Sequence, residues 1–209
     1  MSAVAVERPP RTVIRGRFVT LEPLDPDRHA GGLFAAGHGS AEAEALWTYL
    51  PYGPFPDEAA MTTWLGTLRD SEDPLFLAVV RDGVPVGMTS FLNTDTGMRR
   101  LELGHIWFGP AAQRTEANTE SAFLMLTWAF EAGYRRAEWK CDALNRRSRA
   151  AAERLGFTFE GVFRRHMIVK GRNRDTAWFS IIDPEWPPIR DRLRGWLEDR
   201  RTERGAEAP

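Results

Sequence analysis

Two segments of this chain hold side chains in spacings that serve chemistry. The first, LELGHIWFGPAAQRTEANTESAFLMLTWAFE at 101–131, runs from an apolar strand pattern ending at Gly109-Pro110, through a polar turn over 111–118, into an amphipathic helix beginning near Thr119. A strand that feeds a tight turn and a helix N-terminus is suited to bind phosphate, because unpaired backbone N–H groups and the positive end of the helix dipole converge there. The same strand carries Glu102, a carboxylate among apolar neighbours, where burial raises the pKa toward values at which it accepts protons. The second segment, NRRSRAAAERLGF at 145–157, reads as a short helix ending at Gly156, a C-cap residue.

Elements on either side must position these groups. Residues 17–24 alternate apolar and polar side chains and close on Pro23 and Pro26, a first strand. A helix over 25–37 follows, with Asp25 or Asp27 as its cap, and a second over 57–68 presents Met61, Trp64, Leu65 and Leu68 on one face. Between them WTYLPYGPF, residues 47–55, reads as an irregular aromatic loop. Strands over 75–80 and 84–92 meet at Arg81-Asp82-Gly83, a hairpin signal. After the strand at 101–108 and the helix at 121–134 come a strand at 136–141, the short helix at 148–155, an antiparallel pair at 157–169 and 175–182, and a final helix from Pro184. The order βααβββαβαββα predicts an α+β fold in one domain over residues 12–200, preceded by a disordered segment at 1–11 and followed by a charged tail at 201–209.

Bulk properties remove several function classes. The 209 residues carry a net charge of −1, too little basic excess for a nucleic-acid binder that works by phosphate neutralisation. The 28 basic residues comprise 26 Arg and only Lys140 and Lys170, a bias that a GC-rich bacterial genome produces. The single cysteine, Cys141, excludes an internal disulfide and a thiolate metal cluster, and reads as a small buried hydrophobe. No run of 18 apolar residues and no signal-peptide pattern is present, so a cytoplasmic protein without membrane contact is expected.

The two segments, together with GRNRDTAWFSIIDPEW at 171–186, resemble the GNAT superfamily of acetyl-CoA-dependent N-acetyltransferases, in the RimJ/RimL-like branch, over roughly residues 12–200. That resemblance implies a mixed, mostly antiparallel sheet of about seven strands flanked by helices, acetyl-CoA as co-substrate with no metal, and a primary amine as acceptor. The acceptor is either a protein N-terminus or a small molecule, attacked in a ternary complex, and a homodimer is the form often seen. The family's pyrophosphate loop falls on Gln113, Arg114, Thr115, Glu116, Ala117, Asn118 and Thr119, where Glu116 and Asn118 replace the usual small residues. The Glu116 side chain is expected to point away from the phosphates, with Arg114 supplying compensating charge. Ile106, Trp107 and Phe108 take the place of the strand edge that binds pantetheine through its backbone, where an N–H also polarises the thioester carbonyl.

Glu102, eleven residues before Gln113, matches the general base of the histone-acetylating members; the alternative is a simple ion pair with Arg99 or Arg100. His105, out of phase with Glu102, is expected on the opposite face. Asn145 matches the residue that contacts the pantetheine amides. The family's tyrosine acid is replaced by Ala152, which leaves Ser148 either as proton donor to the leaving thiolate or as a helix cap. Trp47, Tyr49, Tyr52 and Phe55 either wall the amine site or pack the domain. Two rival readings stay open: a GNAT that uses another acyl-CoA such as succinyl-CoA, which a basic residue beside the acyl pocket would favour, and a non-catalytic CoA-binding module.

Overall fold

Strand β3 (Leu75–Arg81) explains the layering of the molecule. Its six apolar residues alternate: Leu75, Leu77 and Val79 join one core cluster, and Phe76, Ala78 and Val80 the other. A strand buried on both faces belongs in the middle of a sheet covered by helices on both sides. The computed structural model, which describes residues 6–207, shows that arrangement. One core packs Leu21, Leu101 and Phe179 against Met125, Leu126 and Leu193; the other packs Ala78, Met88 and Trp107 against Leu33, Met61 and Leu65.

The sheet has eight strands in the order β1-β2-β3-β4-β5-β6-β8-β7, with β1 (Ile14–Arg15), β2 (Thr20–Pro23), β4 (Val84–Asp95), β5 (Arg100–Phe108), β6 (Arg136–Asp142), β7 (Thr158–Val169) and β8 (Arg172–Ile182). All neighbours are antiparallel except β5 and β6. The strand beyond the expected seven is the two-residue β1 at the edge, too short for periodicity to reveal. Helices α1 (Pro26–Gly37), α3 (Glu58–Gly66), α4 (Glu116–Glu131), α5 (Arg146–Leu155) and α6 (Trp186–Glu207) fall near their expected places. A four-residue helix, α2 (Ala41–Glu44), capped by Ser40, was not anticipated, and Trp47 and Thr48 end a helical turn rather than start a loop.

Asp25 caps α1 and Asp57 caps α3, each carboxylate accepting a first-turn N–H. Glu120 on α4 holds the start of the chain from the far side: its carboxylate accepts the N–H groups of Arg17, Phe18 and Val19 at 2.8, 2.6 and 2.7 Å. Residues 6–11, expected to be disordered, make specific contacts with the domain. Val6 is buried, the Tyr134 hydroxyl donates to Glu7 O at 2.8 Å, and Arg8 pairs with Asp73 at 3.1 Å. Residues 1–5 of that expectation lie outside the described residues. The expected tail at 201–209 is largely a continuation of α6, with 208–209 outside the described residues. Among the described residues no helix is long and apolar enough to cross a membrane.

Candidate active site

Strands β5 and β6 run parallel only from Arg100–Arg136 to Glu102–Glu138, and then part. Beyond that point β6 pairs with β8 on its other side as far as Asp142–Thr176, while β5 continues with β4 to Phe108. The gap between the diverging strands is a cleft of about 230 Å³. Its walls are Gly104, His105 and Ile106 from β5; Lys140, Cys141 and Asp142 from β6; and Asn145 and Ser148 from the start of α5. A strand edge left without a neighbour offers its N–H and C=O groups to an extended ligand.

Glu102 sits where the strands part. It is 2 % exposed, and its Oε2 accepts from Lys140 Nζ at 2.9 Å and Asn93 Nδ2 at 2.8 Å. Its partner is therefore Lys140, not Arg99 or Arg100. Burial raises the carboxyl's pKa, and the lysine and asparagine hold it back. The other oxygen, Oε1, accepts no hydrogen bond among the described residues and lies beside Gly104, where a Cβ would come within 3.4 Å of it.

His105 is not on the opposite face. Ser90 pairs with Gly104 but Met88 pairs with Trp107, so His105 and Ile106 together oppose Thr89, a β-bulge with His105 at φ +52°. The extra residue reverses the alternation and brings His105 into the cleft beside Glu102. The bulge also needs Gly87 opposite, since a Cβ there would lie 2.3 Å from Trp107 O. The His105 ring stacks on Tyr52 at 5.7 Å and tilts against Phe76 at 4.9 Å. Burial first, then the Lys140 charge, lowers its pKa to about 4.

The turn after β5 starts its helix three residues earlier than the sequence pattern implies. Thr115 caps α4 by accepting from Ala117 N at 3.2 Å and donating to Ala112 O at 2.7 Å, so Glu116, Ala117, Asn118 and Thr119 are all helical. Arg114, exposed and at φ +60°, swings the chain into that cap, and its guanidinium makes no hydrogen bond or ion pair among the described residues. Glu116 is buried and faces Arg81 Nη2 at 3.8 Å, so its carboxylate turns inward and is partly neutralised. The Gln113 amide folds back to donate to Phe108 O at 2.9 Å, and the Thr119 hydroxyl accepts from Arg154 at 2.7 Å. Of the strand residues, Ile106 lines the cleft, whereas Trp107 and Phe108 place their rings in the two cores and leave only backbone for a ligand.

At the opposite wall Asn145, not Ser148, is the cap of α5: its Oδ1 accepts from Ser148 N at 3.1 Å. Ser148 Oγ accepts from Trp139 Nε1 at 3.1 Å, and its hydroxyl is hydrogen-bonded to the Cys141 thiol at the cleft wall. Burial raises the Cys141 thiol, so it is a poor nucleophile. Ala152 is fully buried and offers no acid. Of the four loop aromatics only Tyr49 lines the cleft, and its hydroxyl donates to Leu144 O at 3.3 Å. Trp47 is a core residue that donates to Gly37 O, and Phe55, half-buried, packs on it at 5.6 Å, in line with the packing alternative. Tyr52 backs His105 from between it and Trp64, with its hydroxyl buried and unpartnered.

Residues 19–158 match the family model described as the acetyltransferase (GNAT) domain. The chain belongs to the GNAT acetyltransferase family. The enzyme is 43% identical to a GCN5-related N-acetyltransferase from Brucella melitensis, with a TM-score of 0.90 over 94% of this chain and 90% of that one. It is also 43% identical to a GNAT-family structure from Chromobacterium violaceum ATCC 12472, with a TM-score of 0.82 over 88% of this chain and 93% of that one. A Bacillus subtilis (strain 168) protein, YdaF, whose name provisionally assigns it to ribosomal N-acetylation, is 33% identical over 106 residues. That match covers 50% of this chain and 57% of YdaF, so the acetyltransferase spans little more than half the length of this relative.

Two residues at the site escape the sequence motifs: Lys140 and Arg81. Their signals were present. In a chain that uses Arg nearly everywhere, Lys140 borders the cleft on Glu102, and the other lysine, Lys170, donates from Nζ to Trp47 O and Gly53 O at 2.7 and 2.6 Å and ties the β7–β8 turn to the aromatic loop. Among the described residues no group of three or more His, Cys, Asp or Glu forms a metal site.

Proposed function

We propose that this enzyme moves the acetyl group of acetyl-CoA to a primary amine, on a protein N-terminus or a small molecule, by direct attack in a ternary complex. The parting of β5 and β6 after Glu102 carries the reading, because it opens a strand edge that leads to the α4 N-terminus. Acetyl-CoA supplies an activated acyl group on a thioester. The backbone of Ile106, Trp107 and Phe108 holds the pantetheine and polarises the acyl carbonyl. The first turn of α4, with Arg114, holds the phosphates.

Glu102, through Oε1, takes a proton from the incoming ammonium, directly or through water; its raised pKa brings its basicity closer to the task. Ser148 donates toward the leaving sulfur, in place of the acid missing at Ala152. Tyr49 and the Leu46–Pro51 turn border the amine. The RimJ/RimL-like branch and the name of the Bacillus relative support a ribosomal-protein N-terminus as one acceptor class. A homodimer belongs to the same reading: edge strand β7 leaves Phe163 and Ile168 55% and 76% exposed, a surface a second copy would cover. A cytoplasmic location goes with it.

The test is thiol release from acetyl-CoA against a panel of amines and N-terminal peptides, with product mass read by spectrometry. A product heavier by one acetyl group is expected. Tight CoA binding with no product on any amine or peptide would favour the non-catalytic module instead.

A further inference from the structure

Strands β7 and β8 overrun the end of β6. The last β6–β8 pair is Asp142–Thr176, so Arg174 lies past it, paired with Met167 of β7. Its side chain turns into the cleft next to Cys141 and Asn145, and the residue is 9% exposed. Among the described residues it has no ion pair and no hydrogen bond, and its Nε is buried without a partner. Two other arginines drawn into the fold meet carboxylates: Arg81 faces Glu116 at 3.8 Å, and Arg136 holds Glu138 and Glu160 at 2.8 and 2.6 Å.

Asp142 of the same cleft and Asp175, next in sequence, are engaged elsewhere. Asp142 accepts from Leu144 N at 2.9 Å, and Asp175 accepts from Arg165 N at 2.6 Å. Glu102, the buried acid in the cleft, is held by Lys140 at 2.9 Å. A guanidinium keeps its charge at any physiological pH, and a buried charge without a partner costs stability. A site that retains one is built to meet an anion that arrives with the ligand. The planar fork of donors suits a carboxylate held by two hydrogen bonds.

We propose that Arg174 determines specificity by binding a carboxylate carried by one of the two substrates: the far end of a dicarboxylic acyl group on CoA, or a carboxylate on the amine. The inference rests on the acyl-CoA reading of the cleft. It adds no covalent step, because the carboxylate is only bound while the acyl group moves.

Two titrations separate the sources. In the first, acetyl-CoA and succinyl-CoA are titrated calorimetrically into wild type, Arg174→Gln and Arg174→Lys. In the second, each protein saturated with CoA is titrated with free amino acids and with their C-terminal amides. The expected result is a preference of about tenfold or more for the carboxylate-bearing member in one of the two titrations. Arg174→Gln abolishes that preference, Arg174→Lys keeps part of it, and acetyl-CoA affinity stays within about twofold in all three.

Preference in the first titration assigns the acyl group, and preference in the second the amine. As an independent readout, Arg174→Met raises the melting temperature of the ligand-free protein, since it removes an unmatched charge; a purely structural arginine would lower it. Equal affinities in both titrations, or a preference that survives Arg174→Gln, overturn the proposal. Failure of every protein to bind any CoA species would instead remove the acyl-CoA reading beneath it.

Discussion

His105 gives the most quantitative check on the cleft. Its pKa falls from 6.5 to about 4, chiefly because β5, Tyr52 and Phe76 take the ring out of water, with the Lys140 charge adding to the effect. The unfolded chain keeps the ordinary value, so it binds the proton first as the pH falls. Stability is then constant above about pH 6.5 and is lost between about 6.5 and 4. A difference of about 2.5 units at 1.36 kcal/mol each gives about 3 kcal/mol lost by pH 4.

His105→Phe keeps an aromatic ring in the stack and removes the titration. Urea unfolding of both proteins at pH 7.5 and pH 4 isolates the effect, because every other titrating group is common to the pair. Wild type is expected to lose about 3 kcal/mol more than the variant over that interval. Equal losses would mean that the ring is solvated, and that the bulge does not carry it into the cleft.

Three further outcomes follow from neighbouring residues. Glu102→Gln is expected to lower kcat/KM by roughly a hundredfold at neutral pH and by much less at high pH, where the amine deprotonates unaided; a pH–rate profile of unchanged shape would exclude Glu102 as the base. Arg81→Met takes one counter-charge from the Glu116 carboxylate beside the α4 N-terminus, so acetyl-CoA should bind roughly fivefold more weakly, and Glu116→Gln in the same chain should restore it; no loss in calorimetry would place the phosphates elsewhere. Glu120→Ala removes the shared acceptor of three backbone N–H groups, of which that of Val19 is buried, and should cost about 1–3 kcal/mol in urea unfolding without weakening CoA binding in the protein that remains folded; a cost under about 0.5 kcal/mol would show that the N-terminal segment is not held by this carboxylate.

The parts of the fold legible in the sequence are those written in short-range pattern. The LFLAVV run reads as a strand, and Asp25 or Asp27 and the apolar face after Asp57 mark two helices, because caps and alternation are local. The start of α4 was displaced because a helix begins at its cap, here Thr115, and not at its first apolar residue. The β-bulge at His105 went unread: the residue with positive φ is the histidine rather than Gly104 beside it, and the requirement for Gly87 comes from the neighbouring strand. Long-range polar matches were equally hidden. Glu120 meets residues about a hundred positions away, and Lys140 reaches Glu102 only because the two strands run parallel there. Arg174 stood inside a recognised motif, but its missing partner is a property of the folded chain alone.

The central claim is that acetyl-CoA lies along the free edge of β5 with its phosphates on the first turn of α4. Amide hydrogen exchange with and without acetyl-CoA tests it directly. The account predicts new protection confined to residues 104–108 and 114–118, with β1 and β2 unchanged. Saturating binding that leaves both segments exchanging as in the free protein would contradict it.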